Sequence, residues 1–173
     1  NMRQLKKPIV AAVNGIAAGA GAMLALASDL RIVSERAKFA FLFTKVGLAG
    51  ADMGALYLLP KIVGQGKAAE LVFFGDVIDA QEAHRIGLAN RVVAPDKLMK
   101  EAYSLARRLK EGPLYALGVT KELLNLEGVV GLETALEMEA MAQARCMEMA
   151  DFGEGYKAFV EKRAPRFNKT DMP

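Results

Sequence analysis

Short apolar segments alternate with glycine-rich or polar turns over the first 95 residues of the chain. Residues 9–13 are apolar and partly β-branched, which is typical of a strand covered on both faces. A tight turn over residues 14–21 then opens into a helix of small and apolar residues, 22–28. The same pattern predicts further strands over residues 30–33, 38–41 and 90–93, a glycine-marked loop around residues 47–54, and helices ending near residues 62 and 74.

Apart from the strand over residues 90–93, helical spacing dominates the chain from Asp79 onwards. Asp79 and Glu82 fit a capping box that opens a helix carrying His84. Further helices are predicted after Asp96 and over residues 113–126, 132–149 and 153–162, because apolar residues recur there at three- and four-residue spacing. The pattern predicts an α/β fold, with residues 1–95 as a strand-and-helix core and residues 96–173 as a helical region.

One run, residues 8–28, imitates a membrane segment or a signal peptide because it carries no charge over 21 residues. Pro8, the Asn14-Gly15 pair and Gly19 interrupt this run with turn signals, which are costly to bury in lipid. We therefore expect a buried strand, turn and helix, with no targeting segment and no membrane partner. The expected location is cytoplasmic.

Composition narrows the possible chemistry. The chain has one histidine (His84), one cysteine (Cys146) and no tryptophan, which excludes a disulfide framework and a His/Cys zinc site. No metal is therefore expected. A net charge of +3 with 7% aromatic residues gives little support for a nucleic-acid partner, and suits a phosphate-bearing small ligand better. Catalysis would then depend on carboxylates and backbone amides.

The turn before the first helix is the strongest candidate for chemistry, since Gly19 and Gly21 flank Ala20 there. The first amides of a helix have no intrahelical partner and lie at the positive end of its dipole. Such an amide binds a phosphate or stabilises a developing oxyanion. Glycines at these positions also fit a purely structural role, in which strand and helix pack closely, and the pattern alone leaves both interpretations open.

Three segments carry a resemblance that spans nearly the whole chain. They read KKPIVAAVNGIAAGAGAMLALASDLRIVSERAKFAF, LPKIVGQGKAAELVFFGDVIDAQEAHRIGLANRVV and AFVEKR. They resemble the crotonase superfamily, that is, the enoyl-CoA hydratase/isomerase family of fatty acid metabolism. This resemblance implies a ββα spiral core with a C-terminal helical trimerisation region, assembled as homotrimers or hexamers. It also implies an acyl-CoA substrate, whose thioester enolate is stabilised by two backbone amides, and no cofactor beyond the coenzyme A of that substrate.

By position, the resemblance assigns one oxyanion donor to the amide of Ala20, with Gly19 and Gly21 bordering the substrate. It covers the C-terminal two-thirds of the usual family chain, whose earlier part supplies the second amide and much of the adenine pocket. We therefore expect these residues to form half of an oxyanion hole. The N-terminal part would be a separate fragment that completes the fold, or a part of the protein outside this sequence.

The two glutamates that hydratases of this family use do not occur here, because the matching positions hold Met23 and Phe43. These apolar side chains are expected to bind the substrate as pocket walls. Asp52 matches the catalytic aspartate of dienoyl-CoA isomerases and the nucleophilic aspartate of aroyl-CoA dehalogenases, in a loop one residue longer. Desolvation between Met23 and Phe43 would make Asp52 a stronger base, whereas a role as N-cap of the following helix would make it a weaker one.

Phe159 and Lys162 are the remaining substrate-binding candidates. In the family, the phenylalanine and lysine of a matching AF-x-E-K segment reach the CoA of a neighbouring subunit, and a lysine suits the phosphates of that ligand. Without the resemblance, Lys162 would belong to a solvated basic tail with Arg163, Arg166 and Lys169.

Together these observations favour an acyl-CoA isomerase, in which the Ala20 amide stabilises the enolate and Asp52 moves the proton. Three alternatives stay open. The first is an enoyl-CoA hydratase with another water-directing group. The second is a CoA-thioester hydrolase or dehalogenase with Asp52 as nucleophile, and the third is a non-catalytic acyl-CoA-binding subunit.

Overall fold

The computed structural model describes residues 2–168, which divide into two compact units. The αβ unit comprises Ile9–Ser104 together with Met2, and the helical unit comprises Arg3–Pro8 and the described chain from Leu105 onwards. The observed boundary lies beyond the predicted one between residues 95 and 96, and the helical unit takes in a segment that precedes the first strand. Lys169, assigned above to a basic tail, lies outside the described residues.

The αβ unit alternates strands and helices, as the hydrophobic pattern predicts. Its strands are β1 (Val10–Val13), β2 (Ile16–Ala18), β3 (Leu30–Ser34), β4 (Lys38–Ala40), β5 (Ile78–Asp79) and β6 (Arg91–Val93). Its helices are α1 (Ala20–Ala27), α2 (Ala55–Val63), α3 (Gln65–Phe74) and α4 (Ala80–Arg85), and α5 (Leu98–Glu111) begins in this unit. Short 3-10 turns cover Thr44–Val46 and Pro95–Lys97.

Two three-stranded sheets organise the αβ unit. In the first sheet, β1, β3 and β6 are parallel in that order, with Val10 opposite Leu30. In the second sheet, β2 pairs in parallel with β4, and β4 pairs antiparallel with β5. The α/β fold class predicted from the sequence is therefore confirmed.

The sequence pattern misses two strands, β5 and β2. It misses β2 because residues 14–21 read as one tight turn. Its middle residue Ala17 is buried, whereas Ile16 is 75% exposed. Three residues are too few to show an alternating pattern. The strand forms because Ala17 pairs with Phe39, which is remote in sequence.

One cluster of buried apolar side chains joins α1 to β4, α2 and α3 in the αβ unit. Its largest fully buried members include Met23, Leu26, Phe39, Phe41, Leu59 and Leu71. Full burial of such a side chain contributes about 1.5–3 kcal/mol. One face of α1 packs against this core, whereas its first two residues, Ala20 and Gly21, are exposed.

The helical unit contains the end of α5 followed by α6 (Leu114–Leu126), a 3-10 turn (Glu127–Val129), α7 (Leu132–Met147) and α8 (Ala150–Val160). The segment Arg3–Pro8 belongs to this unit because it lies against α6. A Cβ on Gly118 would be 3.3 Å from the Lys6 carbonyl oxygen, so the two backbones approach closely. The ammonium of Lys121, a residue only 4% exposed, donates to the Lys7 carbonyl at 3.0 Å.

The uncharged run over residues 8–28 is divided between β1, β2 and α1. Within residues 2–168, none of the helices combines the length and the apolar character that crossing a membrane requires. The same stretch contains no group of three or more His, Cys, Asp or Glu side chains placed to share a metal ion.

Candidate active site

The N-terminus of α1 leaves backbone amides without intrahelical partners. α1 begins at Ala20, and its first hydrogen bond runs from the Met23 amide to the Gly19 carbonyl at 3.1 Å. The amides of Ala20, Gly21 and Ala22 precede that bond, and no side chain in the described part of the chain caps them. The helix dipole adds about half a positive charge at this end. An electron-rich oxygen would be stabilised there.

Gly19 sets the direction of this helix start. Its φ of 51° and ψ of −120° lie in a region that residues with a Cβ rarely adopt. Its own amide donates to the carbonyl of Ala40 in β4 at 3.1 Å, which fixes the turn against the second sheet. The orientation of the following amide, that of Ala20, is therefore determined by a glycine conformation.

The space in front of the helix start is open. Ala20 and Gly21 are exposed, and among the described residues a Cβ built on Gly19 or on Gly21 would meet no atom within 4 Å apart from the adjoining backbone. Close packing of strand against helix therefore does not explain either glycine. Among the described residues, nothing blocks the approach of a ligand to these two glycines.

Met23 and Phe43, expected as pocket walls, lie in the buried cluster of the αβ unit. Met23 is 1% exposed and Phe43 is 8% exposed. Ala55, at the start of α2, belongs to the same cluster, so this cluster connects both side chains with the helix that follows Asp52. The described residues leave Met23 and Phe43 little open surface, and their contact with a substrate stays a prediction.

Asp52 lies in the loop before α2, and its backbone carbonyl accepts from the Ala55 amide at 2.9 Å. α2 begins at Ala55 with Gly54 as its N-cap, and no side chain of residues 2–168 caps it. The alternative in which Asp52 caps the helix is therefore wrong. The physical reason is that Met53 and Gly54 have φ of 47° and 88°, and these left-handed residues delay the helix start. Asp52 is exposed, so the described residues do not supply the desolvation expected of it.

Two contacts that hold this loop were not predicted from the sequence. The Thr44 hydroxyl lies 2.9 Å from the Val72 carbonyl oxygen and 3.0 Å from that of Phe73, within hydrogen-bond distance of both. Gly50 approaches α3 so closely that a Cβ there would be 3.2 Å from the Cβ of Val72. Both contacts join the loop to the end of α3. The glycine was the only sequence signal, and its partner is remote in the chain.

Phe159 and Lys162 lie together at the C-terminal end of α8 in the helical unit, whereas Ala20 and Asp52 belong to the αβ unit. Phe159 is 83% exposed, and Lys162 is exposed as well. Phe159 and Cys146 also line an apolar groove of about 950 Å³ formed by α6, α7 and α8. One large apolar side chain, Phe159, and one cationic side chain, Lys162, are thus exposed to a ligand at the end of α8.

Paired charges follow Lys162 in the chain. Arg163 donates to Glu154 through two hydrogen bonds, of 2.7 and 3.0 Å, and to Glu161 through one of 2.6 Å. The bonds from Arg163, together with one of 2.7 Å from the Arg166 amide, lower the pKa of Glu154 to about 2. The segment expected as a solvated tail is therefore tied back to α8 at Arg163 and Arg166.

Another charged cluster stabilises α4. Arg85 binds Glu82 at 2.6 and 2.8 Å, and this pairing lowers the pKa of Glu82 to about 2. The Asp79 carboxylate accepts from the Glu82 amide at 2.8 Å, which confirms the predicted N-cap. His84 Nδ1 lies 2.9 Å from the Ala89 carbonyl oxygen. The Asp79 bond lies at the start of α4 and the His84 contact at its end. Both are consistent with a structural role for His84.

The model of the family described as Enoyl-CoA hydratase/isomerase matches residues 1–170. The chain is 40% identical over 166 residues to 1,2-epoxyphenylacetyl-CoA isomerase of Escherichia coli (strain K12), covering 96% of this chain and 63% of the relative. It is 38% identical over 163 residues to crotonyl-CoA hydratase of Syntrophomonas wolfei, covering 94% and 62%.

Solved structures agree with the fold. A crystal structure from Streptomyces coelicolor A3(2), provisionally described as an enoyl-CoA hydratase, matches with a TM-score of 0.94 and 47% identity over 96% of this chain and 61% of that one. The chain thus spans less than two thirds of the length of these relatives. The crotonase fold implied by the resemblance is confirmed. The chain belongs to the enoyl-CoA hydratase/isomerase family of the crotonase superfamily.

Proposed function

We propose that the protein is an acyl-CoA isomerase that moves a carbon–carbon double bond by way of a thioester enolate. The amide of Ala20 donates to the thioester oxygen, and the carboxylate of Asp52 takes a proton from the carbon next to the carbonyl. Asp52 then returns the proton two carbons further along, so the double bond shifts by one position and no water is consumed. Coenzyme A enters as part of the substrate.

The uncapped and open N-terminus of α1 carries this proposal. Negative charge that develops on the thioester oxygen would be stabilised by the Ala20 amide and by the helix dipole. Loss of one such donor typically lowers kcat about 10²–10³-fold. The family resemblance implies that a second donor comes from a part of the protein outside these residues.

The apolar residues Met23 and Phe43 favour isomerisation over two-carboxylate hydration. They occupy the positions that the family resemblance assigns to the two glutamates of hydratases, and both are buried. Asp52 is the one carboxylate between Phe43 and the start of α2 in the sequence. A single carboxylate suffices to move a proton between two carbons.

The test uses the intact natural protein with trans-3-hexenoyl-CoA in deuterium oxide. We expect trans-2-hexenoyl-CoA as the product, and Asp52→Asn should lower turnover by about 10²–10⁴-fold because it removes the proton acceptor. Asp96→Asn, in the exposed turn before α5, removes the same charge and serves as the control. Full turnover in Asp52→Asn, on enoyl- and dienoyl-CoA substrates alike, would overturn the assignment of Asp52.

Hydration is the second candidate, because the chain is 38% identical to a protein named crotonyl-CoA hydratase. With crotonyl-CoA as substrate, formation of 3-hydroxybutyryl-CoA that survives Asp52→Asn would favour hydration by another group. Labelled solvent oxygen incorporated into Asp52 under single turnover would instead favour a hydrolase or dehalogenase. Tight CoA-thioester binding without proton exchange at the α-carbon would favour a non-catalytic subunit.

We further propose a homotrimer or hexamer built through the helical unit, in which Phe159 and Lys162 reach the CoA of a neighbouring copy. Large apolar side chains exposed on α7 and α8 support this assembly; they include Leu132, Leu136, Met141, Met147, Phe152 and Tyr156. Sedimentation velocity should give the mass of three or six copies. A monomer at micromolar concentration would contradict the assembly.

A further inference from the structure

α8 ends in a motif whose key position is usually glycine. The amide of Lys162 donates to the Phe159 carbonyl at 3.2 Å, and the amide of Arg163 donates to the Ala158 carbonyl at 3.0 Å. With Glu161 as the C-cap, these two bonds form a Schellman motif, in which the next residue is left-handed. That residue is Lys162, with a φ of 53°.

The left-handed conformation of Lys162 is unfavourable for a residue with a Cβ. Such conformations persist where surrounding contacts impose them, and they are concentrated at functional sites. Among residues 2–168, Met53 and Asn168 are the other two non-glycine residues with positive φ. The contacts around Lys162 therefore indicate what imposes its conformation.

Arg163 supplies these contacts. Its guanidinium binds both carboxylate oxygens of Glu154, at 2.7 and 3.0 Å, and an oxygen of Glu161 at 2.6 Å. The residues on both sides of Lys162 are thus joined to each other, and one of them is tied to the first half of α8. We call Glu154 and Arg163 the clamp.

The clamp also leaves the charge of Lys162 available to a ligand. Arg163 occupies the carboxylates of Glu154 and Glu161, and Lys157 lies 4.0 Å from the second of these. Among the described residues, no carboxylate forms an ion pair with Lys162, which is exposed. Lys162 is therefore a cation of this helix end that can offer its charge to a phosphate.

We propose that Glu154 and Arg163 are positioning residues for coenzyme A: they hold Lys162 in its left-handed conformation so that its ammonium can bind the phosphates of the CoA. This inference rests on the CoA contact of Lys162 in the proposed function, and adds the two residues that prepare that contact. When the backbone is already fixed before the ligand binds, less conformational entropy is lost on binding. Neither residue of the clamp touches the ligand.

The first experiment separates the backbone of Lys162 from its charge. Lys162→Gly in the intact natural protein should melt at the same or a higher temperature, because glycine is favoured at this position. It should weaken the calorimetric Kd for coenzyme A about tenfold, as expected for loss of a charge-assisted hydrogen bond. Lys157→Ala, which removes the same charge from the same helix, is the matched control and should bind coenzyme A like the wild type. An unchanged Kd in Lys162→Gly would overturn the inference.

The second experiment asks whether Arg163 acts through Lys162. Arg163→Gln should weaken the Kd for coenzyme A by a similar factor, and adding it to Lys162→Gly should produce no further loss. Glu154→Gln, a milder change, should reproduce the effect and replaces Arg163→Gln if that variant does not fold. Losses that multiply in the double variant, or a wild-type Kd in both clamp variants, would contradict a positioning role.

Two comparisons keep this inference distinct from the proposed reaction. With trans-3-hexenoyl-pantetheine, which carries the same acyl group as the assay substrate but lacks the nucleotide phosphates, the clamp variants should show the KM of the wild type, whereas a general loss of structure would raise it. Coenzyme A binding that depends on the clamp, in a protein without isomerase turnover, would refute the reaction and leave the inference standing. Isomerase turnover with a KM for acyl-CoA that the clamp variants leave unchanged would support the proposed reaction and refute this inference.

Discussion

Gly19→Ala tests the helix start on which the candidate site depends. The φ of 51° and ψ of −120° at Gly19 are unfavourable for alanine, although within residues 2–168 its methyl group would meet no atom within 4 Å beyond the adjoining backbone. The cost is therefore one of backbone conformation, which typically amounts to about 1–3 kcal/mol. Any relaxation of φ would also disturb the bond from the Gly19 amide to the Ala40 carbonyl and turn the amide of Ala20. We expect lower stability together with lower turnover.

Gly21→Ala is the matched control for this substitution. Gly21 has equally open surroundings, but it lies inside α1 and has no positive φ. Alanine is favoured over glycine in a helix by about 0.8–1 kcal/mol, so this variant should be as stable as the wild type or more stable. Urea unfolding of both variants measures the difference. Equal free energies of unfolding for Gly19→Ala and Gly21→Ala would refute the argument from backbone conformation.

Three further predictions concern the clamp, the loop and the core. The pKa of Glu154 is about 2 in the folded protein and 4.5 ordinarily, so its stabilising contribution is complete above about pH 4.5 and lost as the pH falls towards 2. Melting temperatures measured between pH 5 and pH 2 should show this loss, and the loss should be smaller in Glu154→Gln. Thr44→Val leaves the carbonyls of α3 without their donor and should cost about 1–3 kcal/mol in urea unfolding, whereas a cost near zero would mean that the hydroxyl does not hold the loop. Met23→Ala should cost about 2–5 kcal/mol and Met23→Leu less than about 1.5 kcal/mol, since the side chain is 1% exposed; equal costs would contradict its place in the core.

The sequence predicts best those elements whose apolar pattern is long or fully buried. β1, β3, β4 and α1 lie close to their predicted positions because short runs of mainly apolar residues there are bounded by turn residues. The N-cap of α4 is also predictable, since Asp79 and Glu82 interact three residues apart. Local chemistry is sufficient in each of these cases.

Elements that depend on remote partners are not predictable in this way. β2 exists through its pairing with β4, and Arg3–Pro8 joins the helical unit through contacts with Gly118 and Lys121. A single sequence shows neither partner. For the same reason, the prediction for residues 1–95 places this segment with the strand-and-helix core.

Within the candidate site, the sequence identifies the residues better than their surroundings. The glycines around Ala20 are recognised from their spacing, and the structure adds that they are open to a ligand. The role of Asp52 as a helix cap is a reasonable expectation from its position before a predicted helix, but two left-handed residues after it move the helix start to Ala55. Left-handed conformations of non-glycine residues, such as those of Met53 and Lys162, leave no signal in the sequence.

The central claim, that the Ala20 amide stabilises an enolate, is tested most directly by replacing Ala20 with lactic acid. This change exchanges the amide N–H for an ester oxygen and keeps the side chain and the glycines on either side. We predict that turnover of trans-3-hexenoyl-CoA falls about 10²–10³-fold, while the Kd for coenzyme A stays at its wild-type value. Turnover within about twofold of the wild type, in a protein that melts normally, would contradict the claim.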